Sequence, residues 1–163
     1  YRSSSSLPVR LARAMINLLP PSTKTVLDPC CGIGTLPMEA ASLGYQTSCG
    51  DQSPKMAGMT RHNLAHFGLS AEVVCRDARD WQEHFDAVVT DLPYGMASHT
   101  RREKVPVVES ILQHLPSLTS YALIVAQADL SRMLKAAGFD TVEVFTIKKH
   151  TRLMRHIHRA RIG

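Results

Sequence analysis

Residues 91–94, Asp-Leu-Pro-Tyr, bring two hydrogen-bond acceptors and an aromatic ring together directly after an apolar run. The Asp91 carboxylate and the Leu92 carbonyl would accept the two N–H bonds of a planar amine, and the Tyr94 ring would stack on the base that carries it. Pro93 stands between the acceptors and the ring. The four residues predict a grip on the exocyclic amine of a nucleobase, with an ordinary turn after a strand as the alternative.

Acidic residues end or follow four successive strand-like segments: Asp28, Asp51, Asp77 and Asp91. In a doubly wound sheet, ligands bind beyond the carboxyl ends of the strands, where these carboxylates would meet. Carboxylates placed together repel one another unless they have hydrogen bonds to accept. The set favours a ligand site, and the alternative is the ordinary frequency of Asp in turns.

Residues 28–35, Asp-Pro-Cys-Cys-Gly-Ile-Gly-Thr, form a predicted turn in which Gly32 and Gly34 let a ligand approach the backbone closely. A dinucleotide-binding turn would need a third glycine, and this chain has Pro37 there. Asp28 would also repel a pyrophosphate. The turn favours a cationic ligand without phosphate, for which S-adenosylmethionine with its sulfonium and ammonium groups is the best fit, and it disfavours a nicotinamide dehydrogenase.

In this interpretation, each part of the cofactor has a predicted contact in the protein. The turn would wrap the methionine end, Asp51 would accept from the two ribose hydroxyls, and Asp77 with the Ala78 N–H would bind the adenine. Asp91 would then lie where the transferred methyl group points. The predicted cofactor-binding residues are Asp28, Cys30, Gly32, Gly34, Thr35, Asp51, Gln52, Asp77, Ala78 and Asp91.

Apolar patterns and turn signals predict alternating strands and helices that would position these residues. The predicted strands cover residues 25–28, 46–50, 71–75, 85–90, 120–126, 141–149 and 153–162, and the predicted helices cover residues 9–19, 35–43, 54–67, 105–115 and 129–137. Repeated strand–helix–strand units imply a parallel sheet with helices on both faces. The last two strands are too close in sequence for a helical crossover, so the last strand is expected to be antiparallel. The predicted fold is α/β, a Rossmann-like doubly wound seven-stranded sheet that is mostly parallel.

The length of 163 residues suits one domain, with residues 1–20 as an N-terminal loop and helix and residues 139–163 as a basic strand pair. No apolar stretch approaches the roughly 20 residues of a membrane span, and no signal peptide is visible. The four cysteines include no Cys-x-x-Cys pair. We therefore expect reduced, buried thiols, no metal site and a cytoplasmic protein.

Positive charge is concentrated at the C-terminal end. Glu143 is the last acidic residue, and six of the 19 Lys and Arg residues follow it, so the other 13 are balanced by all 14 acidic residues. Such a tail can attract a polyanion, and the alternative is a hairpin whose cations guard a sheet edge. The predicted nucleic-acid-binding residues are Lys148, Lys149, Arg152 and Arg155 in this tail, and Arg101 and Arg102 after the predicted grip.

The order and identity of these segments resemble those of class I methyltransferases, and more narrowly the catalytic domain of the THUMP-linked tRNA guanine-N2 methyltransferases. The resemblance covers most of residues 7–95, and the C-terminal third is similar in architecture only. That family usually has Pro where this chain has Leu92, which keeps the carbonyl and loses a fixed φ. The matching segments are residues 11–18, 27–35, 38–41, 50–51, 63–68, 77–79 and 86–95.

The resemblance implies an enzyme that transfers a methyl group from S-adenosylmethionine to N2 of a guanine in tRNA or another structured RNA. Asp91 and the Leu92 carbonyl would aim the amine. The family's N-terminal THUMP domain, which helps to grip tRNA, is missing here, so a further domain or a separate subunit would supply that grip. Two alternatives stay open: N6-adenine methylation on RNA or DNA by the same grip, and a catalytically silent RNA-binding subunit, against which the intact acids and glycines argue.

Overall fold

A mixed β-sheet with helices on both of its faces forms the centre of the protein. The structure, a computed structural model, describes residues 1, 6–92, 101–150 and 153–163, without the side chains of residues 101–105, 149, 150 and 153. Its strands are β1 (Thr25–Asp28), β2 (Gln46–Asp51), β3 (Glu72–Cys75), β4 (Ala87–Asp91), β5 (Tyr121–Ala126), β6 (Thr141–His150) and β7 (Leu153–Arg161). Its helices are α1 (Val9–Ile16), α2 (Thr35–Ser42), α3 (Pro54–His66), α4 (Arg101–Leu118) and α5 (Ser131–Ala137).

The strand order across the sheet is β3-β2-β1-β4-β5-β7-β6. The first five strands of the chain pair in parallel, and β7 runs antiparallel to both of its neighbours, β5 and β6. The prediction of a doubly wound, mostly parallel sheet with an antiparallel last strand is confirmed. The strand order reverses at β1 and β4, and ligands of doubly wound sheets bind at such a switch point.

Two apolar layers hold the helices against the two faces of the sheet. Neighbouring residues of a strand point to opposite faces, and in β4 the buried Val88 and Val89 belong to different layers. The layer of Val89 includes α1 and α2, and that of Val88 includes α4 and α5. Burial of apolar surface, at about 25 cal/mol per Å², is the main force that holds these helices in place. Within the described ranges, no helix has the length and apolarity needed to cross a bilayer.

Helix α4 is longer than the sequence predicted. It begins at Arg101 and ends at Leu118, whereas the prediction covered residues 105–115, and Pro106 lies inside it rather than in its first turn. A proline inside a helix removes one backbone hydrogen bond and usually marks a boundary. The helix continues past this point because Val108 and Leu112 pack into the core beneath it.

The β6–β7 hairpin projects beyond the carboxyl ends of the parallel strands. β7 pairs with β5 only as far as His156, which lies opposite Ala126, the last residue of β5. β6 and β7 continue to pair beyond this point, with Lys148 opposite Met154. The tip of the hairpin therefore lies on the same edge of the sheet as the carboxyl ends of β1, β2 and β4.

Candidate active site

A cavity of about 320 Å³ lies where the carboxyl ends of β1, β2 and β4 meet. Small-ligand sites have volumes of roughly 300–1,000 Å³. Four carboxylates line this cavity, which makes it attractive to a cation. Gly34, the one predicted cofactor-binding residue that does not line it, is the N-cap of α2. The predicted residues that line the cavity are Asp28, Cys30, Gly32, Thr35, Asp51, Gln52, Asp77, Ala78, Asp91 and Leu92.

Asp28 ends β1 and is buried, with 3% of its surface exposed. Its Oδ1 accepts hydrogen bonds from the Cys30 N–H, at 3.1 Å, and from the Thr90 hydroxyl, at 2.8 Å. Burial raises the pKa of this carboxyl to about 7; the two hydrogen bonds oppose the rise, and the charges of Asp91 and Asp51 add to it. A cation in the cavity would favour the ionised form.

The turn after β1 is held from behind by α3. Gly32 and Gly34 have φ values of 55° and 89°, which glycine adopts without strain. Thr60 donates to the Gly32 carbonyl at 2.8 Å, and Asn63 donates to the Ile33 carbonyl at 2.9 Å. A side chain at Gly34 would meet Thr60 Cγ2 at 2.8 Å, whereas one at Gly32 would meet no protein atom within 4 Å. The turn is thus packed against α3 at Gly34 and open at Gly32.

Asp51 ends β2 and links two turns. Its Oδ2 accepts from the Gly32 N–H at 3.1 Å, and its Oδ1 accepts from the Ser53 N–H at 2.8 Å. These backbone donors fix the orientation of the carboxylate. Each carboxylate oxygen has two lone pairs, so the predicted bonds from the ribose hydroxyls can be added to them.

Asp77 is already bound by Arg79, two residues further along the chain. The Arg79 guanidinium contacts both carboxylate oxygens, with Nε at 2.8 Å from Oδ1 and Nη2 at 2.7 Å from Oδ2, and the Arg79 N–H donates to Oδ1 at 2.9 Å. The side-chain hydrogen bonds from Arg79 lower the pKa of Asp77 to about 2. The acceptor predicted for the adenine amino group therefore has a cationic partner that the sequence analysis did not include.

The end of β4 brings the predicted amine grip to the cavity. Asp91 is the last residue of β4, and Leu92 follows it; both line the cavity. The Leu92 N–H donates to the Val125 carbonyl at 3.0 Å, and the Leu92 side chain is packed in the core. Pro93 and Tyr94 lie outside the described residues, so their predicted roles stay predictions.

Residues 1–156 match the family model described as "RMKL-like, methyltransferase domain". The match takes in nearly the whole chain. The chain belongs to this methyltransferase family.

Relatives and solved structures share this methyltransferase domain or its fold. A tRNA (guanine(10)-N2)-dimethyltransferase from Methanothermobacter thermautotrophicus is 41% identical over 103 residues, which cover 61% of this chain and 31% of the relative. TrmN from Thermus thermophilus has a TM-score of 0.81 at 22% identity, over 98% of this chain and 50% of the other. A magnesium protoporphyrin IX methyltransferase from Synechocystis PCC 6803, solved with bound S-adenosylmethionine, has a TM-score of 0.74 at 18% identity, over 94% and 77%. The chain spans between about a third and a half of the length of the first curated relatives that it matches.

Several cavity residues of the methyltransferase domain were not predicted. Met56 comes from α3, Val107 and Ile111 come from α4, and Leu7 precedes α1. Met56 could have been predicted, because it lies in the first turn of the helix that follows Asp51. The other three carry no motif, and their place in the cavity depends on how α4 and the N-terminal segment fold over the sheet.

Three buried polar residues support the site behind the cavity wall. Thr60 and Asn63 hold the turn, and Thr90 holds Asp28. Thr60 and Asn63 are three positions apart and therefore share one face of α3. Two polar residues on the apolar face of a predicted helix are a signal in the sequence that could have identified this support.

The predicted nucleic-acid-binding residues have different environments. Lys148 is exposed near the end of the hairpin. It lies on the side of the sheet formed by the carboxyl ends of the parallel strands, where the cavity is, which we call the cavity edge. Arg155 is 2% exposed, so it does not present its guanidinium at the surface as expected. It lies two residues before the buried Ile157 and shares its face of β7, which is covered on the side of α1. Arg152 lies outside the described residues, and so do the side chains of Lys149, Arg101 and Arg102.

The cysteines of this domain are free. Burial raises the pKa of the Cys30 thiol, and a hydrogen bond with the Cys31 side chain raises that of Cys49. Thiols that stay protonated are poor nucleophiles and poor metal ligands. Among the residues that the structure describes, no group of three or more His, Cys, Asp and Glu side chains is arranged to hold a metal ion.

Proposed function

We propose that this chain is the catalytic domain of a tRNA methyltransferase that transfers a methyl group from S-adenosylmethionine to N2 of a guanine. The observation that carries the proposal is that the end of β4, Asp91 and Leu92, lines the same cavity as Asp28 and Asp51. Acceptors for an amine thus lie beside a site suited to a cation, which is the arrangement that a group transfer between two ligands needs. The relative that is 41% identical over 103 residues is a tRNA (guanine(10)-N2)-dimethyltransferase, which supports guanine N2 as the target.

The cavity residues fit S-adenosylmethionine. Asp28 offers a buried carboxylate to a cation, and the open space at Gly32 lets a ligand lie against the backbone. Asp51 would bind the ribose hydroxyls, and Asp77 would bind the adenine amino group while it shares or releases the Arg79 guanidinium. When bound, the cofactor supplies a methyl group activated by its sulfonium. A solved methyltransferase of the same fold contains this cofactor.

The residues of the chain act by positioning and by charge. The N2 lone pair of guanine is delocalised into the ring, which makes this nitrogen a weak nucleophile. The Asp91 carboxylate and the Leu92 carbonyl accept its two N–H bonds, return electron density to the nitrogen and aim its lone pair. Asp91 would take the proton that the nitrogen loses on methylation, and the demethylated cofactor would leave as a neutral thioether. Tyr94 stacks on the base, which leaves its helical stack at a cost of roughly a few kcal/mol.

Binding of the whole tRNA involves more than this domain. The chain spans only part of the length of its curated relatives. A further RNA-binding domain of the THUMP type, or a separate subunit, supplies the main contacts to tRNA, and the exposed Lys148 contacts a phosphate near the cavity. A cytoplasmic location is part of this proposal, and a tRNA substrate supports it.

Replacement of Asp91 by Ala tests the amine grip. We expect methyl transfer to fall by about a hundredfold or more, because a group that acts on the reacting amine is lost, while S-adenosylmethionine still binds. The measurement is incubation with labelled cofactor and unmodified tRNA, followed by nucleoside mass spectrometry for N2-methylguanosine. Asp80→Ala removes an exposed acid outside the predicted site and serves as the matched control.

Each other outcome of this experiment points to a different function. N6-methyladenosine in place of N2-methylguanosine would replace guanine by adenine as the target. Near-normal turnover of Asp91→Ala would contradict the grip. Failure of the wild-type protein to bind S-adenosylmethionine would favour the catalytically silent RNA-binding subunit.

A further inference from the structure

Thr90 immediately precedes Asp91 in β4 and is fully buried. Its hydroxyl donates to Asp28 Oδ1 at 2.8 Å, across the boundary between β4 and β1. We propose that Thr90 is a positioning residue, which holds the Asp28 carboxylate ionised and oriented for the cationic end of the methyl donor. The inference rests on S-adenosylmethionine as the cofactor of the proposed function.

Asp28 needs such a donor because its other surroundings disfavour its charge. Asp51 in β2 and Asp91 in β4 are like charges, and the thiols of Cys30 and Cys49, whose pKa values are raised, stay neutral beside it. Burial is the largest effect and raises the pKa of Asp28 to about 7. Two donors act against this rise, the Cys30 N–H and the Thr90 hydroxyl. The Cys30 N–H is a backbone donor and is still present when Thr90 is replaced. A substitution at position 90 therefore changes only the hydroxyl donor.

The position of Thr90 lets this hydrogen bond be separated from packing. β1 and β4 pair in parallel, with Val26 opposite Ala87 and Leu27 opposite Val88. The pairing ends at these residues, and the Thr90 hydroxyl reaches the Asp28 carboxylate beyond it, near the carboxyl ends of both strands. Val at position 90 would keep the branched shape and remove the donor, whereas Ser would keep the donor.

Loss of the hydroxyl has a consequence that depends on pH. Because its pKa is raised to about 7, Asp28 is only partly ionised in the cofactor-free protein at neutral pH. A cation binds the carboxylate, so the affinity for the cofactor should rise as pH increases through 7, with release of a proton. A hydrogen bond to a charged group shifts such an equilibrium by about tenfold or more. Thr90→Val should therefore bind the cofactor about tenfold more weakly at pH 7 and recover at higher pH.

Calorimetric titration with S-adenosylmethionine between about pH 6 and about pH 9 tests the inference. Wild type, Thr90→Val and Thr90→Ser are compared in two buffers of different ionisation enthalpy, so that released protons are counted. Asp28→Asn is the reference because it lacks the carboxylate. The protons that are released when this variant binds the cofactor come from the cofactor's own amino group and not from Asp28. We expect Thr90→Val to release more protons at pH 7 and to approach wild type near about pH 9, and Thr90→Ser to follow wild type throughout.

Equal weakening of Thr90→Val at every pH, with unchanged proton release, would mean a purely structural role and would overturn the inference. Absence of cofactor binding to the wild type at every pH would instead sink the proposed function, and this inference with it.

Urea unfolding of the cofactor-free proteins gives a second measurement. Because the folded protein raises the pKa of Asp28 to about 7, this group's contribution to stability is full below about pH 4 and is lost as pH rises through about 7. The difference in unfolding free energy between the wild type and Asp28→Asn isolates the contribution of this carboxyl group. Thr90→Val should shift this loss of stability to higher pH. If the Val variant does not fold, Thr90→Cys, which has only a weak donor, should shift it in the same direction. An unchanged profile would contradict the inference.

Discussion

Leu92 ties the end of β4 to β5 by a contact that a proline could not make. Its N–H donates to the Val125 carbonyl at 3.0 Å, which extends the pairing of the two strands by one bond beyond Asp91. Its side chain is 3% exposed and belongs to the apolar layer beneath α4. A backbone hydrogen bond and packing thus fix this position, whereas a proline would fix φ but could not donate to Val125.

Truncation of Leu92 should therefore weaken the fold at the site. Leu92→Ala leaves a cavity in the core and should lower the free energy of unfolding by about 2–5 kcal/mol. Leu92→Pro also removes the N–H that binds Val125, so it should destabilise the chain as well. Urea unfolding measures both, with the partly exposed Leu18→Ala as a control that should change stability by less than about 0.5 kcal/mol. A similarly small effect of Leu92→Ala would contradict the packing described here.

The acids of the site could be predicted because a parallel sheet brings the ends of its strands to one edge, whatever the helices do. Their partners could not. Arg79 folds back on Asp77 within a loop, and Thr90 reaches Asp28 only because β4 lies beside β1. Arg155 was predicted as a surface cation and is buried, because the direction of a strand side chain depends on what covers that face of the sheet.

At the scale of elements, α3 is the support that shapes the cofactor side of the cavity. Its start follows Asp51, and its buried face carries the two donors, Thr60 and Asn63, that bind carbonyls of the turn after β1. The Gly32 N–H of the same turn donates to the Asp51 carboxylate, which also ties the turn to the end of β2. Helix and turn thus act as one unit.

Removal of either donor should loosen this unit. Thr60→Val and Asn63→Leu each leave a partly buried carbonyl without its donor, which should lower the free energy of unfolding by about 1–3 kcal/mol. S-adenosylmethionine should bind about tenfold more weakly to each, and the effects should not add, because both donors hold the same turn. Urea unfolding and calorimetry measure the two quantities, with the exposed His62→Ala on the same helix as control. Lower stability with unchanged cofactor affinity would show that the turn is not part of the cofactor site.

Local patterns were sufficient for the elements but not for the position of β7. The short connection between the last two strands predicts that they pair antiparallel, and they do. Nothing in that connection says that β7 lies between β5 and β6. That position follows from packing, because Ile157 and Ala160 on its two faces belong to the two apolar layers of the sheet.

At the scale of the whole molecule, charge is separated along the hairpin. The net charge is +5, and the C-terminal segment holds the excess. Arg159 and Arg161 form ion pairs with Glu143, and Arg161 lies opposite Tyr121, at the start of β5 and away from the cavity. Lys148 lies beyond the other end of β5, on the cavity edge. Cations of the same tail therefore lie on opposite edges of the sheet.

This separation allows a matched test of where RNA binds. Lys148→Ala and Arg161→Ala remove the same charge from an exposed side chain, one on the cavity edge and one on the opposite edge. If tRNA contacts the cavity edge, Lys148→Ala should weaken binding and reduce the slope of log Kd against log salt by about 0.7–0.9, the value of one lost phosphate contact. Arg161→Ala should leave both close to wild type. Fluorescence anisotropy with unmodified tRNA over a range of salt concentrations measures the slope. Equal effects of the two variants would indicate attraction by net charge alone, and no effect of Lys148→Ala would place the RNA elsewhere.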